Sequence, residues 1–279
     1  MTITQTAATA DGLLDAVRRH DPDRFLFILL SPASHRETLL VLTAFHHALG
    51  QALAAAPARA DGSTIALMIR LQWWREVIGN ERADWRQHEV AAPLRAAIDA
   101  NPEIAPLLLG MVDACEAEAE GVDDAVPWRR LLRGGAGALH RAMAVVLGVT
   151  DPGMLDRIEA AGAAGAVGAM RRFLPVMLRD GYGLLPRPWR VEAETVAARL
   201  RSEGEALLEQ AGRIVLPPSQ IAPALSLVLA RRDLRRDPVA APRPRGLGDR
   251  LAVLLAGRRG AAGLDRAEAG KGAGHPRPD

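Results

Sequence analysis

No stretch of this 279-residue chain alternates apolar and polar residues as a half-buried strand would, whereas apolar residues at three-to-four spacing recur throughout. That periodicity places one side chain in every turn on the same face of a helix. Helical patterns are predicted at 11–19, 24–30, 34–56, 64–78, 90–100, 102–120, 128–147, 154–178, 191–213 and 219–236. Turn and break signals separate them: Ser31-Pro32, Asp61-Gly62, Gly79-Asn80, Asn101-Pro102 and the run from Gly181 to Pro186. Ser34 and Glu37 have capping-box spacing. With aromatics at only 4% of the chain, the core must be built mainly from Ala, Leu and Val. Consecutive helices with short connections predict one all-α domain over 1–236. A basic tail rich in Pro, Arg and Gly, expected to be flexible, follows over 237–279. Leu251, Val253, Leu254 and Leu255 are expected to form one short helix there, docked on the body or on a membrane.

Two helical patterns are unusual. In the 128–147 segment, Gly134, Gly135 and Gly137 each cost about 1 kcal/mol relative to Ala, which implies a packing or bending requirement. In the 154–178 segment, Ala161, Gly162, Gly165, Gly168 and Ala169 leave a stripe almost without side chains, and Pro175 is expected to kink its end. A neighbouring helix can approach such a stripe closely.

The stretch Arg70-Leu71-Gln72-Trp73-Trp74-Arg75-Glu76 sets two indoles between cations in mid-helix. Ile65, Met68, Ile69, Trp73 and Val77 share a face, predicted to be core. Trp74 lies about 100° further round and is expected to border a groove. Cys115 is the single cysteine, which excludes an internal disulfide, and it is expected to be a small buried residue.

The net charge of +2 is unevenly distributed: the first 230 residues carry 23 basic and 27 acidic side chains, the remainder 12 and 6. A basic C-terminal part can meet an anionic membrane. Nucleic acid is not expected as a partner. Residues 1–10 show neither a signal-peptide core nor an organelle presequence, and no run of 18 apolar residues occurs. A cytoplasmic location, peripheral on the inner membrane, is the expectation.

In chain order, Asp21-Pro22-Asp23-Arg24, Ser31-Pro32, Arg36, Thr43-Ala44-Phe45, the Arg70 to Glu76 stretch, the helix from Gly162 to Pro175, Gly181-Tyr182 and Leu185-Pro186 resemble the squalene/phytoene synthase family over about 20–236. The resemblance implies the isoprenoid synthase fold, a helical bundle around a central cavity. It also implies head-to-head joining of prenyl diphosphates, in which aspartates on facing helices hold Mg²⁺ against the leaving diphosphate. The family's first Asp-rich segment follows the Ala-Phe dipeptide. Here that place reads His46-His47-Ala48-Leu49-Gly50-Gln51, and the second falls where Arg171 and Arg172 are the only ionisable residues.

Neither set of carboxylates is present, so no catalytic residue is assigned and no cofactor is expected. The tryptophan stretch is most similar to the non-catalytic branch of the mitochondrial complex I assembly factor 6 and its bacterial relatives. That likeness implies an interaction or assembly factor at a membrane, with an assembly partner or membrane protein as its target. Arg70, Trp73, Trp74, Arg75, Glu76, Arg171, Arg172 and Tyr182 are the candidate binding residues. Two alternatives stay open. One is a prenyl diphosphate synthase whose Mg²⁺ is held by Asp113, Glu116 and Glu120, spaced three and four apart. The other is a carrier with an isoprenoid or lipid in the cavity.

Overall fold

The computed structural model describes residues 3–55, 61–81, 84–180, 185–190, 192–237 and 242–263. These form thirteen α-helices: α1 (Ile3–His20), α2 (Pro22–Leu29), α3 (Ala33–Ala54), α4 (Asp61–Gly79), α5 (Ala91–Ala100), α6 (Ala105–Glu120), α7 (Ala125–Leu132), α8 (Ala138–Val146), α9 (Pro152–Arg172), α10 (Leu174–Asp180), α11 (Ala193–Ala211), α12 (Ser226–Asp233) and α13 (Leu247–Arg259). Among them, none is long and apolar enough to cross a membrane.

Several helix starts follow from local chemistry. Asp21 caps α2 by accepting from the Arg24 amide at 2.9 Å, with Pro22 in the first turn. Asp151 caps α9 in the same way, accepting from Met154 N at 2.6 Å ahead of Pro152. The capping box expected at Ser34 and Glu37 is not formed. Pro32 is the residue before α3, it makes no side-chain cap, and Ser34 Oγ lies 3.0 Å from His35 Nδ1 instead. The helix starts earlier because Pro32 has no amide hydrogen to satisfy.

The central helix is α9, flanked by α8, α11 and α12. Its small-residue stripe is what permits this. A Cβ on Gly162 would stand 2.7 Å from the Ala136 carbonyl oxygen and 2.8 Å from His140 Cβ, and one on Gly168 would stand 2.9 Å from Ala230 Cα. Two of the three glycines of the 128–147 segment, Gly134 and Gly137, have a related use, while a Cβ on Gly135 would meet nothing within 4 Å. A π-helical turn over Arg133–Gly137 separates α7 from α8, and a Cβ on Gly137 would meet the Glu159 carbonyl at 2.9 Å. The α9/α10 break falls at Phe173, two residues before Pro175.

Two apolar clusters fill the interior. The larger joins α1 to α6 and α8 with parts of α9, α12 and α13, around Phe45, Trp74 and Leu108. The smaller joins α7 and α9 to α12, where Trp128 and Trp189 pack at 4.9 Å. Cys115 is buried as expected, its thiol pushed up to about 12 by burial and then by the nearby charges of Glu118 and Glu116.

The chain after Asp237 returns to the body. Arg245 bridges Asp233, Asp23 and Asp249, while Arg232 and Arg236 also hold Asp249. The expected short helix is α13, seated through Asp249, Val253 and Gly257, the last against Leu30 and Leu225. Two-residue strands, β1 (Ile214–Val215) and β2 (Ala261–Ala262), then pair antiparallel with Ile214 opposite Ala262. Strands this short leave no alternating pattern to read.

The α9 contacts yield a paired prediction. Gly162→Ala should destabilise by about 1–3 kcal/mol, because the carbonyl it meets belongs to the backbone and cannot swing away. Gly50→Ala, in α3 with nothing within 4 Å, should stabilise by up to about 1 kcal/mol. Chemical denaturation of both variants measures the two signs.

Candidate functional site

Helices α2, α3 and α8 bring Asp21, Arg24, His46, His47 and His140 together. The cap that starts α2 also orients Asp21, whose carboxylate ion-pairs with Arg24 and lies 3.5 Å from His47 Nε2. Arg24 Nε donates to His140 Nε2 at 3.4 Å, so that nitrogen is the acceptor. The proton of His140 is then on Nδ1, which donates to the Pro223 carbonyl at 2.6 Å. His46 Nδ1 is buried with no hydrogen-bond partner among the described residues.

The electrostatics follow from this geometry. Burial and then the Arg24 charge lower His46 to about 3 and His140 to about 4, so both rings are neutral. Burial alone would raise the Asp21 carboxyl, but Arg24 and His47 outweigh it and hold the group well below the usual carboxylate range.

Beside this cluster lies a cavity of roughly 700 Å³ between α1, α3 and α4. Leu13, Ala44, Ala48, Ile69, Trp73, Trp74 and Val90 supply its apolar wall, and His20, His47, Gln51, Arg70, His88 and Glu89 its polar one. The aromatic side is a connected stack. Trp74 meets Phe45 edge-on at 4.9 Å and Trp73 at 4.8 Å, and His88 lies 5.0 Å from Trp73.

The predicted orientation of α4 holds only in part. Of the face assigned to the core, Val77 is buried and Met68 and Trp73 are half-buried, but Ile65 and Ile69 are 62% and 67% exposed, whereas Trp74 is 2% exposed and packs with Leu67, Leu71 and Ile78. Both faces of α4 are apolar, so its periodicity fits either orientation, and packing of Trp74 against Phe45 selects one. Trp73 is half-buried, at the cavity.

The other candidates are dispersed. Arg70 lines the cavity. Arg75 points to α6, where it ion-pairs with both Asp113 and Glu116. Glu76 Oε1 accepts from Gln72 at 3.2 Å. Asp113, Glu116 and Glu120 therefore do not form the open carboxylate set that the synthase alternative needs, and no metal-holding group of three His, Cys, Asp or Glu occurs among the described residues. Arg171 donates to the carbonyls of Ala197, Leu234 and Arg236, and Arg172 to that of Arg243 while pairing with Asp23 at 3.6 Å. These two arginines fasten α9 to the C-terminal segment and are not part of the cavity wall. Tyr182 lies outside the described residues.

Reading the sequence missed Asp21, Arg24 and His140 as a cluster. The three-residue spacing of Asp21 and Arg24 was a usable signal, since it matches a capped first turn. Nothing local marks His140, which reaches the cluster through the tertiary packing of α8 on α3 and α9.

A bundle of helices enclosing an apolar, aromatic-walled cavity is the architecture of isoprenoid synthases. The family description "Squalene/phytoene synthase" matches residues 17–211, and the chain belongs to that family. Among solved structures, a dehydrosqualene synthase in complex with ligand superposes with a TM-score of 0.63 at 10% identity, covering 91% of this chain and 97% of the other. The squalene synthase HpnC from Alicyclobacillus acidocaldarius gives 0.58 at 14% identity, covering 92% and 96%. At such identities the likeness concerns the fold. No curated protein sequence matches.

The family's Mg²⁺ does not fit the donors present. The cavity wall holds one carboxylate, Glu89, and the remaining polar groups are imidazoles, a guanidinium and an amide. Mg²⁺ takes hard oxygen ligands, carboxylates above all.

The buried histidines carry a pH prediction. Their folded pKa values lie below the ordinary 6.5, so the unfolded chain binds more protons from about 6.5 down to about 4 for His140 and about 3 for His46. The stability they support is fully present above pH 6.5 and is lost as the pH falls through that window. For His140 the loss is on the order of 3 kcal/mol. Urea midpoints measured downward from neutral pH should fall across it, and His140→Gln should flatten the slope.

Proposed function

We propose that this chain is a non-catalytic member of the squalene/phytoene synthase family that works as an interaction or assembly factor on a membrane surface, like the complex I assembly factor branch. The observation that carries this reading is the composition of the cavity wall. Where diphosphate ionisation calls for several carboxylates around Mg²⁺, α3 offers His47, Ala48 and Gln51, Glu89 is the single carboxylate of the cavity wall, and Asp21 beside it is held by Arg24. The bundle and its cavity persist without the groups that would polarise a leaving diphosphate. An exposed apolar strip on α4, Ile65 and Ile69, supplies a contact surface of the kind that an interaction factor needs.

A second reading, an isoprenoid or lipid carrier, is favoured by one observation: the roughly 700 Å³ cavity is of the size of small-ligand sites and is walled by Trp73 and Trp74. Farnesyl diphosphate titrated into the protein with and without Mg²⁺, followed by product analysis, separates these roles. No product is expected under either condition. Binding heat without product assigns the cavity to a carrier, and metal-dependent product overturns the proposal. Ile65→Ser with Ile69→Ser should lower capture of the membrane partner at least about tenfold while changing stability by less than about 0.5 kcal/mol per site, as exposed substitutions do. Trp74→Ala is unsuitable for that purpose, because emptying its core site costs about 3–5 kcal/mol.

A further inference from the structure

Helix α13 is apolar on two faces. The inner face seats Asp249, Val253 and Gly257 on the body. The outer face leaves Leu247 85%, Leu251 57%, Leu254 37% and Leu255 43% exposed, the largest cluster of such leucines on one element. Their spacing of four, three and one places all four within one stripe about 100° wide. Arg258 lies within that stripe, Arg250 flanks one edge and Arg259 the other. All three are exposed and form no ion pair with the described residues. The helix has one carboxylate, Asp249, and it faces inward, held by Arg232 and Arg236.

We propose that this outer face of α13 is the surface on which the protein lies against an anionic bilayer. It deepens the membrane part of the proposed role and rests on that reading only for its setting, since the cavity takes no part in it. The charge pattern argues for a lipid surface as the occupant. Leucines can enter the acyl boundary while the guanidinium groups of Arg250 and Arg259 at the edges, and of Arg258 one turn beyond Leu254 and Leu255, reach anionic headgroups, their stems lying along the apolar layer. The exposed part of α13 carries cations and no carboxylate, which matches an anionic lipid surface. A helix of 13 residues spans about 20 Å and so lies in the interface and does not cross it. Residues 264–279 hold a single large apolar side chain, Leu264, too little for an apolar cover of matching size. The ion pairs of Arg245 with Asp23, Asp233 and Asp249 fix the start of the helix on the body, so the face is presented rigidly.

The test is flotation of the full-length protein with phosphatidylcholine vesicles, with and without phosphatidylglycerol. The wild type should float with the anionic vesicles, remain behind with the neutral ones, and be released by salt. Arg258→Gln with Arg259→Gln should lower partitioning about 30-fold, from roughly 1 kcal/mol for each arginine. Leu251→Ser with Leu255→Ser should lower it at least about tenfold with the helical circular dichroism unchanged. Absence of wild-type binding to anionic vesicles overturns the proposal, as does binding that survives both double variants. A self-associated chain that the leucine variant dissociates, without vesicle binding, assigns the face to a second copy and equally overturns it. Should the leucine variant unfold, the arginine variant decides, since those side chains touch no ion-pair partner on the body. Vesicle binding is read independently of prenyl product, so failure here and failure of the non-catalytic reading are distinguishable.

Discussion

At Gly162 the space that a methyl group would take is already occupied by the Ala136 carbonyl and the His140 side chain. The close approach of α8 to α9 depends on that absence, as the approach of α12 depends on Gly168. Once α8 is this near, His140 projects to the Pro223 carbonyl and fixes its own tautomer. Its free nitrogen then faces Arg24, whose charge is balanced by Asp21. A backbone contact on one side of the bundle therefore sets the protonation state of a polar cluster beside the cavity.

The chemistry of that cluster differs in kind from metal-diphosphate chemistry. A carboxylate set attracts divalent cations and keeps them partly hydrated. Here the carboxylate next to the cavity is neutralised by an arginine, and burial holds two imidazoles neutral. Asp113 and Glu116, the acidic pair with the best spacing on paper, are drawn together by Arg75 in a contact between α4 and α6. The arginines of α9 likewise satisfy carbonyls at the C-terminal end of the fold. Most of the charge that the sequence offers as functional is used to join helices.

Helices α4 and α13 share a further property: each is apolar on more than one face. For such helices periodicity does not state which face is inside. In α4 the edge-to-face packing of Trp74 on Phe45 decides it, leaving Ile65 and Ile69 outward. In α13 the inward turn of Asp249 toward three arginines decides it, leaving the leucines outward.

By itself the sequence determined the all-α class, the order of the helices, the breaks at proline and glycine, and the close-packed stripe of α9. These depend on spacing within a few residues of chain, where backbone geometry is local. The family was also legible, from short pieces in a fixed order, because each piece is a local pattern. Only the tertiary structure decided the orientation of Trp73 and Trp74, the pairing of Arg75 with α6, the cluster that includes His140, and the return of α13 to the body. Each of these joins residues far apart in the chain, such as Arg24 with His140 or Asp23 with Arg245, and nothing in either local segment encodes its partner. Long-range packing selects among faces and charges that local periodicity leaves equivalent.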